Sequence, residues 1–147
     1  MTHHDDFLAA VRGIKGRHVA IALSTLTPGI DWRGCSKARM AEAYNEAHKR
    51  GQRASHPQLK WLSLAQLAKR ARARQDGFTG YLRDDVAIDA WMSARAAAER
   101  AERVRAAASE LLAALRNVLA LLGNAPEDRT ADEQAAYALV ARLEGKQ

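Results

Sequence analysis

Residues 84–122 read DDVAIDAWMSARAAAERAERVRAAASELLAALRNVLALL, a run without proline or glycine. With both helix breakers absent and alanine and leucine abundant, the stretch reads as one continuous helix. Asp84 or Asp85 supplies the cap at its start, and Gly123 and Pro126 stop it after Leu122. At ~1.5 Å per residue such a helix is roughly 55 Å long, more than a compact domain of this size needs. Its register is heptad-like: Ala87, Ala90, Ala94, Ala97, Ala101, Val104, Ala108, Leu111, Leu115, Val118 and Leu122 alternate three- and four-residue steps. The first half of this seam is alanine, which permits close approach of a second helix but offers little area. The second half is widened by Leu112, Leu119 and Leu121 and suits a bundle or an oligomer interface. Val104, Leu111, Leu115, Val118 and Leu122 are therefore the expected oligomerisation or partner contacts.

On the C-terminal side, Thr130 and Glu133 have the spacing of a capping box for a last helix to about Leu143. Its Ala136, Tyr137, Val140 and Leu143 share a face that can fold back on the leucine-rich end, and the short connection predicts an antiparallel hairpin. On the N-terminal side, Ser63 and Gln66 suggest another box, with Leu62 and Leu67 at the staple positions. That helix buries Leu64, Leu67, Ala68 and Ala71, finishes in Lys69-Arg70-Ala71-Arg72-Ala73-Arg74 and ends at Gly77. Further back, Ser36 caps a helix whose Met40, Ala41, Tyr44 and Ala47 share one face and which ends at Arg50 before Gly51. Residues 17–25 are ambiguous. Val19, Ile21 and Leu23 alternate as in a strand, while the intervening alanines favour helix. Asp6 to Arg12 makes a short helix closed by Gly13.

The expected fold is thus mainly all-α: a basic helical head, a long heptad-patterned helix and a C-terminal helical hairpin, with a possible single strand at 17–25. Three segments follow: an arm with short elements (1–32), a basic two-helix segment (33–77), and the long helix with its C-terminal partner (83–147).

The chain has 147 residues, of which 48% are hydrophobic, but 32 of these are alanine. So little bulky side chain makes an isolated monomer only marginally stable and a partner expected. No apolar run approaches the ~18 residues that span a bilayer, so no membrane is expected among its partners. The opening Met-Thr-His-His-Asp-Asp is the reverse of a basic leader, and the single Cys35 fits a reducing compartment, so the expected location is the cytoplasm.

Charge is distributed unevenly. Residues 1–75 carry 14 basic and 5 acidic side chains, against 9 and 12 in the remainder. Between Arg33 and Arg74 there are 11 cations and only Glu42 and Glu46 as anions, interleaved with Trp32, Tyr44 and Trp61. A coding bias towards arginine and alanine would not produce that asymmetry, whereas a polyanionic partner would select it.

Chemical motifs are poor by comparison. Cys35 with His48 or His56 has no orienting motif for nucleophilic catalysis, and the same three residues fall short of a zinc site in number and spacing. The pairs Asp5-Asp6 and Asp84-Asp85 sit at helix starts, where capping accounts for them. Gly13-Ile14-Lys15-Gly16 has the form of the backbone-clamping loop of KH modules, but the flanking strands are missing and a helix stop is the simpler reading. Helix-turn-helix and ribbon-helix-helix arrangements fit in part, weakened by a long connection from Gly51 to Leu62 and by the distance from residue 25 to the next helix.

The sequence therefore suggests a small non-enzymatic accessory or regulatory protein of bacterial or mobile-element character, without metal or cofactor. It would bind nucleic acid, DNA in preference to RNA, through phosphate contacts by Lys49, Arg50, Arg53, Lys69, Arg70, Arg72 and Arg74, and act as a homodimer. The alternative is an adaptor or inhibitor that uses the long helix and the basic face on an acidic or nucleic-acid-binding protein.

Overall fold

The computed structural model describes residues 2–123 and 125–145; the outer sequence segments 1–32 and 83–147 each contain positions outside that range. The fold is all-α: among the described residues there are six α-helices, three short 3₁₀ turns and no strand. The chain divides into two compact units, one up to Ala94 and one from Arg95 onward.

In the first unit, α1 (His3–Ala10) begins with a full capping box, in which the Thr2 hydroxyl accepts from the Asp5 amide and the Asp5 carboxylate accepts from the Thr2 amide. Phe7 and Val11, one turn apart, are completely buried, and Ile14 follows them into the core beyond Gly13, whose φ of +74° ends the helix. Residues 17–25 lie within α2 (Gly16–Leu26) and form no strand. Burial explains the outcome: Val19, Ala20, Ala22 and Leu23 face inward at helical spacing, while Ile21, which a strand would place beside Val19 and Leu23, is 43% exposed. The Thr27 hydroxyl closes this helix by donating to the Leu23 carbonyl at 2.7 Å, and it accepts from the indole of Trp32 at 2.9 Å.

Helix α3 (Lys37–Arg50) is capped by Ser36 and buries Met40, Ala41, Ala43, Tyr44 and Ala47. Two 3₁₀ turns, Gly51–Arg53 and Pro57–Trp61, pack back against it and lead into α4 (Leu64–Gln75). Ser63 caps α4 by accepting from the Gln66 amide, without the return bond that would complete a box. Helix α1 packs on α3 and α4, and α2 packs on α4, so one apolar core runs from Phe7 to Ala71. The 1–32 and 33–77 segments share that core.

Helix α4 ends in a Schellman turn: the Phe78 amide reaches the Ala73 carbonyl, the Gly77 amide reaches that of Arg74, and Gly77 has φ +105°. Phe78 then packs with Ala73, Leu82 and Ile88, with Trp91 edge-on to its ring, attaching the first turns of α5 (Asp85–Leu122) to α4. Arg70 completes the attachment. It is only 7% exposed, its guanidinium grips both oxygens of Asp85 (3.2 and 3.1 Å), and its remaining amino group donates to the Thr25 hydroxyl on α2 at 3.1 Å.

In the second unit, α6 (Ala131–Leu143) lies against the C-terminal part of α5 as a hairpin. Thr130 and Glu133 form the full box expected of them, and the Tyr137 hydroxyl donates to the Leu119 carbonyl at 2.8 Å. Leu119 and Val140 are buried, and Arg116 pairs with Glu144.

Arg70→Ala should lower the unfolding free energy by about 2 kcal/mol, because it removes charge-assisted hydrogen bonds that join three helices. Arg50→Ala, which breaks an exposed pair with Glu46, should change it by less than about 0.5 kcal/mol. Urea denaturation midpoints compare the two. The hydrogen bonds from Arg70 also hold Asp85 below its ordinary value of 3.8. That stabilisation is present above the ordinary value and is lost as pH falls through the lower folded one, so Asp85→Asn should flatten the acid limb of the stability curve.

Candidate nucleic-acid interface

The seven cations singled out in the sequence separate into two groups. On α4 three of the four are drawn into the structure. Lys69 is half-buried and pairs with Asp89 at 2.6 Å, and Arg70 is enclosed as described. Arg74 donates to the Phe78 carbonyl at 2.8 Å and to the Gly80 carbonyl at 3.0 Å, holding the connection to α5. Gly80 is required there, since a Cβ would stand 2.5 Å from the Phe78 ring. Arg72 is exposed and touches the Arg12 carbonyl at 3.5 Å.

At the end of α3 the arrangement is different. Lys49 and Arg50 lie in its last turn and Arg53 in the following 3₁₀ turn, all three exposed. Arg50 reaches back to Glu46 at 3.1 Å, and Arg39 on the same helix pairs with Glu42, so the outward face of α3 carries mixed charge. Lys49 and Arg53, among the described residues, are in no ion pair. No carboxylate occurs anywhere from Ala47 to Gln75. Lys60, in the second 3₁₀ turn and absent from the sequence-derived set, joins this corner; its position shows only once the two turns fold back on α3.

Lys15, in the Gly13–Gly16 loop weighed from the sequence, and Lys37 lie at the start of α2. Gln75 accepts from the Lys15 amide at 2.7 Å and donates to the Gly13 carbonyl at 3.1 Å, fastening the Gly13–Gly16 loop to α4. Lys37 packs close to Gly16, with its Cγ 3.7 Å from the site of a Cβ. This loop joins two helices and has no strand beside it, so Gly13 acts as a helix stop and not as part of a KH clamp.

Three of the five histidines serve packing. His48 stacks on His3 at 4.1 Å and meets the Tyr44 ring at 4.6 Å, and His56 lies against Trp32 at 5.1 Å. Cys35 packs against the main core. Among the described residues no three potential metal ligands come together. Burial in the first place, and then His3 and Lys60, hold His48 below its ordinary value of 6.5.

The expected partner contacts on α5 lie at its surface. Residues 97–111 are exposed on every side of the helix. Leu111 is 71% exposed, Val104, Val118 and Leu122 are also exposed, and Leu115 is half-buried. Helix α6 covers Leu119 and leaves beside it an apolar groove of about 270 Å³ lined by Ala108, Leu111, Leu112, Leu115, Leu139 and Leu143. Compared with protein-family models, curated proteins and solved structures, the chain matches none.

Because the folded state resists protonation of His48, stability should fall as pH drops from about 7 towards 5. His48→Gln should reduce that slope, as read by thermal unfolding at fixed ionic strength. An unchanged slope would remove His48 as its source.

Proposed function

We propose that the protein is a small non-enzymatic nucleic-acid-binding accessory or regulatory factor whose basic head contacts phosphates and whose long helix pairs with a second copy. The observation that carries the first part is the carboxylate-free stretch from Ala47 to Gln75, in which Lys49 and Arg53 project without ion pairs at the end of α3. Lys49, Arg50, Arg53, Lys60 and Arg72 are the phosphate contacts in this reading. Lys69, Arg70 and Arg74 act instead as the scaffold that orients α4. Contacts of this kind position a nucleic acid without reading its bases.

The dimer rests on the meagre interior of the second unit. A helical hairpin with only Leu119 and Val140 buried among its described residues has too little core to be stable alone. Charge favours an antiparallel arrangement. In a parallel pair the heptad register sets Arg100 of one helix opposite Arg105 of the other, while Glu99, Glu102 and Glu110 lie away from the flanking positions. The exposed leucines also support a second reading, in which the same face captures a different protein with an acidic or nucleic-acid-binding surface.

Two measurements test these statements. Binding to duplex DNA should weaken with salt, with a slope of log K against log[salt] of about −4 if the five named cations engage phosphates. The double variant Lys49→Glu, Arg53→Glu should make that slope shallower by about 2. Absence of binding to DNA and RNA at low salt would end the nucleic-acid reading. Replacing Leu111, Leu115 and Val118 together by Glu should convert a dimer to a monomer in light scattering. A wild-type chain that is already monomeric would transfer the face to the second reading.

A further inference from the structure

The three tryptophans occupy very different environments. Trp32 is 3% exposed with its indole nitrogen bonded to Thr27, and Trp91 is half-buried against Phe78. Trp61 is 82% exposed. A tryptophan is among the largest apolar side chains a chain can bury, and folding alone gives no reason to leave one in water. The local structure keeps it there. Trp61 is the last residue of the 3₁₀ turn Pro57–Trp61, which Leu59, fully buried, pins to the core. Leu62 and Leu64 return to the same core immediately afterwards. The ring therefore projects from a short segment anchored on both sides and started by a proline.

Its surroundings are cationic. The Lys60 ammonium stands 5.6 Å from the ring centroid and is near enough to His48 at the end of α3 to oppose its protonation. The turn that carries Trp61 packs on α3 and on the turn carrying Arg53. Tyr81 is exposed as well, but Asp84 and Asp85 follow it closely in sequence, which does not suit a polyanion.

We infer that Trp61 is a stacking platform for an unpaired base of a single-stranded nucleic acid, with Lys60, Lys49 and Arg53 meeting the neighbouring phosphates. An open aromatic face beside a row of cations matches the two features that every unpaired nucleotide presents, a π-face and a phosphodiester. In a duplex the base faces are covered by their neighbours, so the ring would add nothing to duplex binding. This inference rests on the nucleic-acid reading and adds to its phosphate contacts one that only an unpaired strand, of deoxyribose or ribose type, can make.

The test uses the full chain with labelled oligo(dT), oligo(U), an abasic strand of equal length and a hairpin duplex. Trp61→Ala should weaken oligo(dT) or oligo(U) binding about tenfold while leaving the salt slope and the thermal unfolding curve unchanged. Trp61→Phe should recover most of the loss. Binding to the abasic strand and to the duplex should change less than about twofold, and the fluorescence quenching that oligo(dT) or oligo(U) causes in the wild type should disappear in the alanine variant. Comparison of oligo(dT) with oligo(U) assigns the sugar. Equal affinity of wild type and Trp61→Ala for both oligonucleotides, with a steep salt slope retained, overturns the stacking role alone. Failure of every probe to bind at low salt overturns the nucleic-acid reading with it and leaves Trp61 as a contact for a protein partner.

Discussion

The bidentate bond from Arg70 to Asp85, with its third contact to Thr25, is the interaction on which the first unit depends. It ties the middle of α4 to the first residue of α5 and to α2 at once. Lys69 with Asp89 and Arg74 with two loop carbonyls extend the same attachment along α4. A guanidinium enclosed in this way is tolerable only because its donors have partners, and those partners come from elements distant in sequence. Helix α4 is therefore basic for structural reasons over much of its surface.

Apart from the exposed Arg72, the free positive charge accordingly sits elsewhere. It gathers where α3 ends and two 3₁₀ turns fold back, a place where the helix dipole already favours cations and where the chain carries no carboxylate from Ala47 to Gln75. Lys49, Arg53 and Lys60 extend from that corner beside an exposed indole. The second unit has a different character, with much apolar side chain uncovered, Leu111, Leu121 and Leu143 among it. The two contacts proposed above, of the head with a polyanion and of the helical part with protein, are compatible in one small chain because each unit presents a different kind of surface.

Much of the local structure was legible in the sequence. Thr130 with Glu133, Ser36, Ser63, Gly51, Gly77 and Gly123 mark helix ends because capping and left-handed glycine are local in origin. The unbroken run before Gly123 left no alternative to a long helix. Residues 17–25 were ambiguous because alternating apolar residues separated by alanine satisfy both periods. The neighbouring helices decide, since burying Ala20 and Ala22 brings α2 close to α4 while Ile21 stays outside. Lys60 was overlooked because nothing in a linear pattern places a residue of one turn beside the end of a preceding helix.

From its residues alone, then, this protein is all-helical, basic in its first half and heptad-patterned in its second, because helix propensity, caps and charge asymmetry are properties of the chain. Which cations bind inward and which face out, and which of three tryptophans remains in water, depend on distant partners. Arg70 and Arg53 are the same side chain in similar company along the sequence. Only the position of Asp85, fifteen residues from Arg70 and brought to it by the Gly77 turn, separates a structural arginine from an available one.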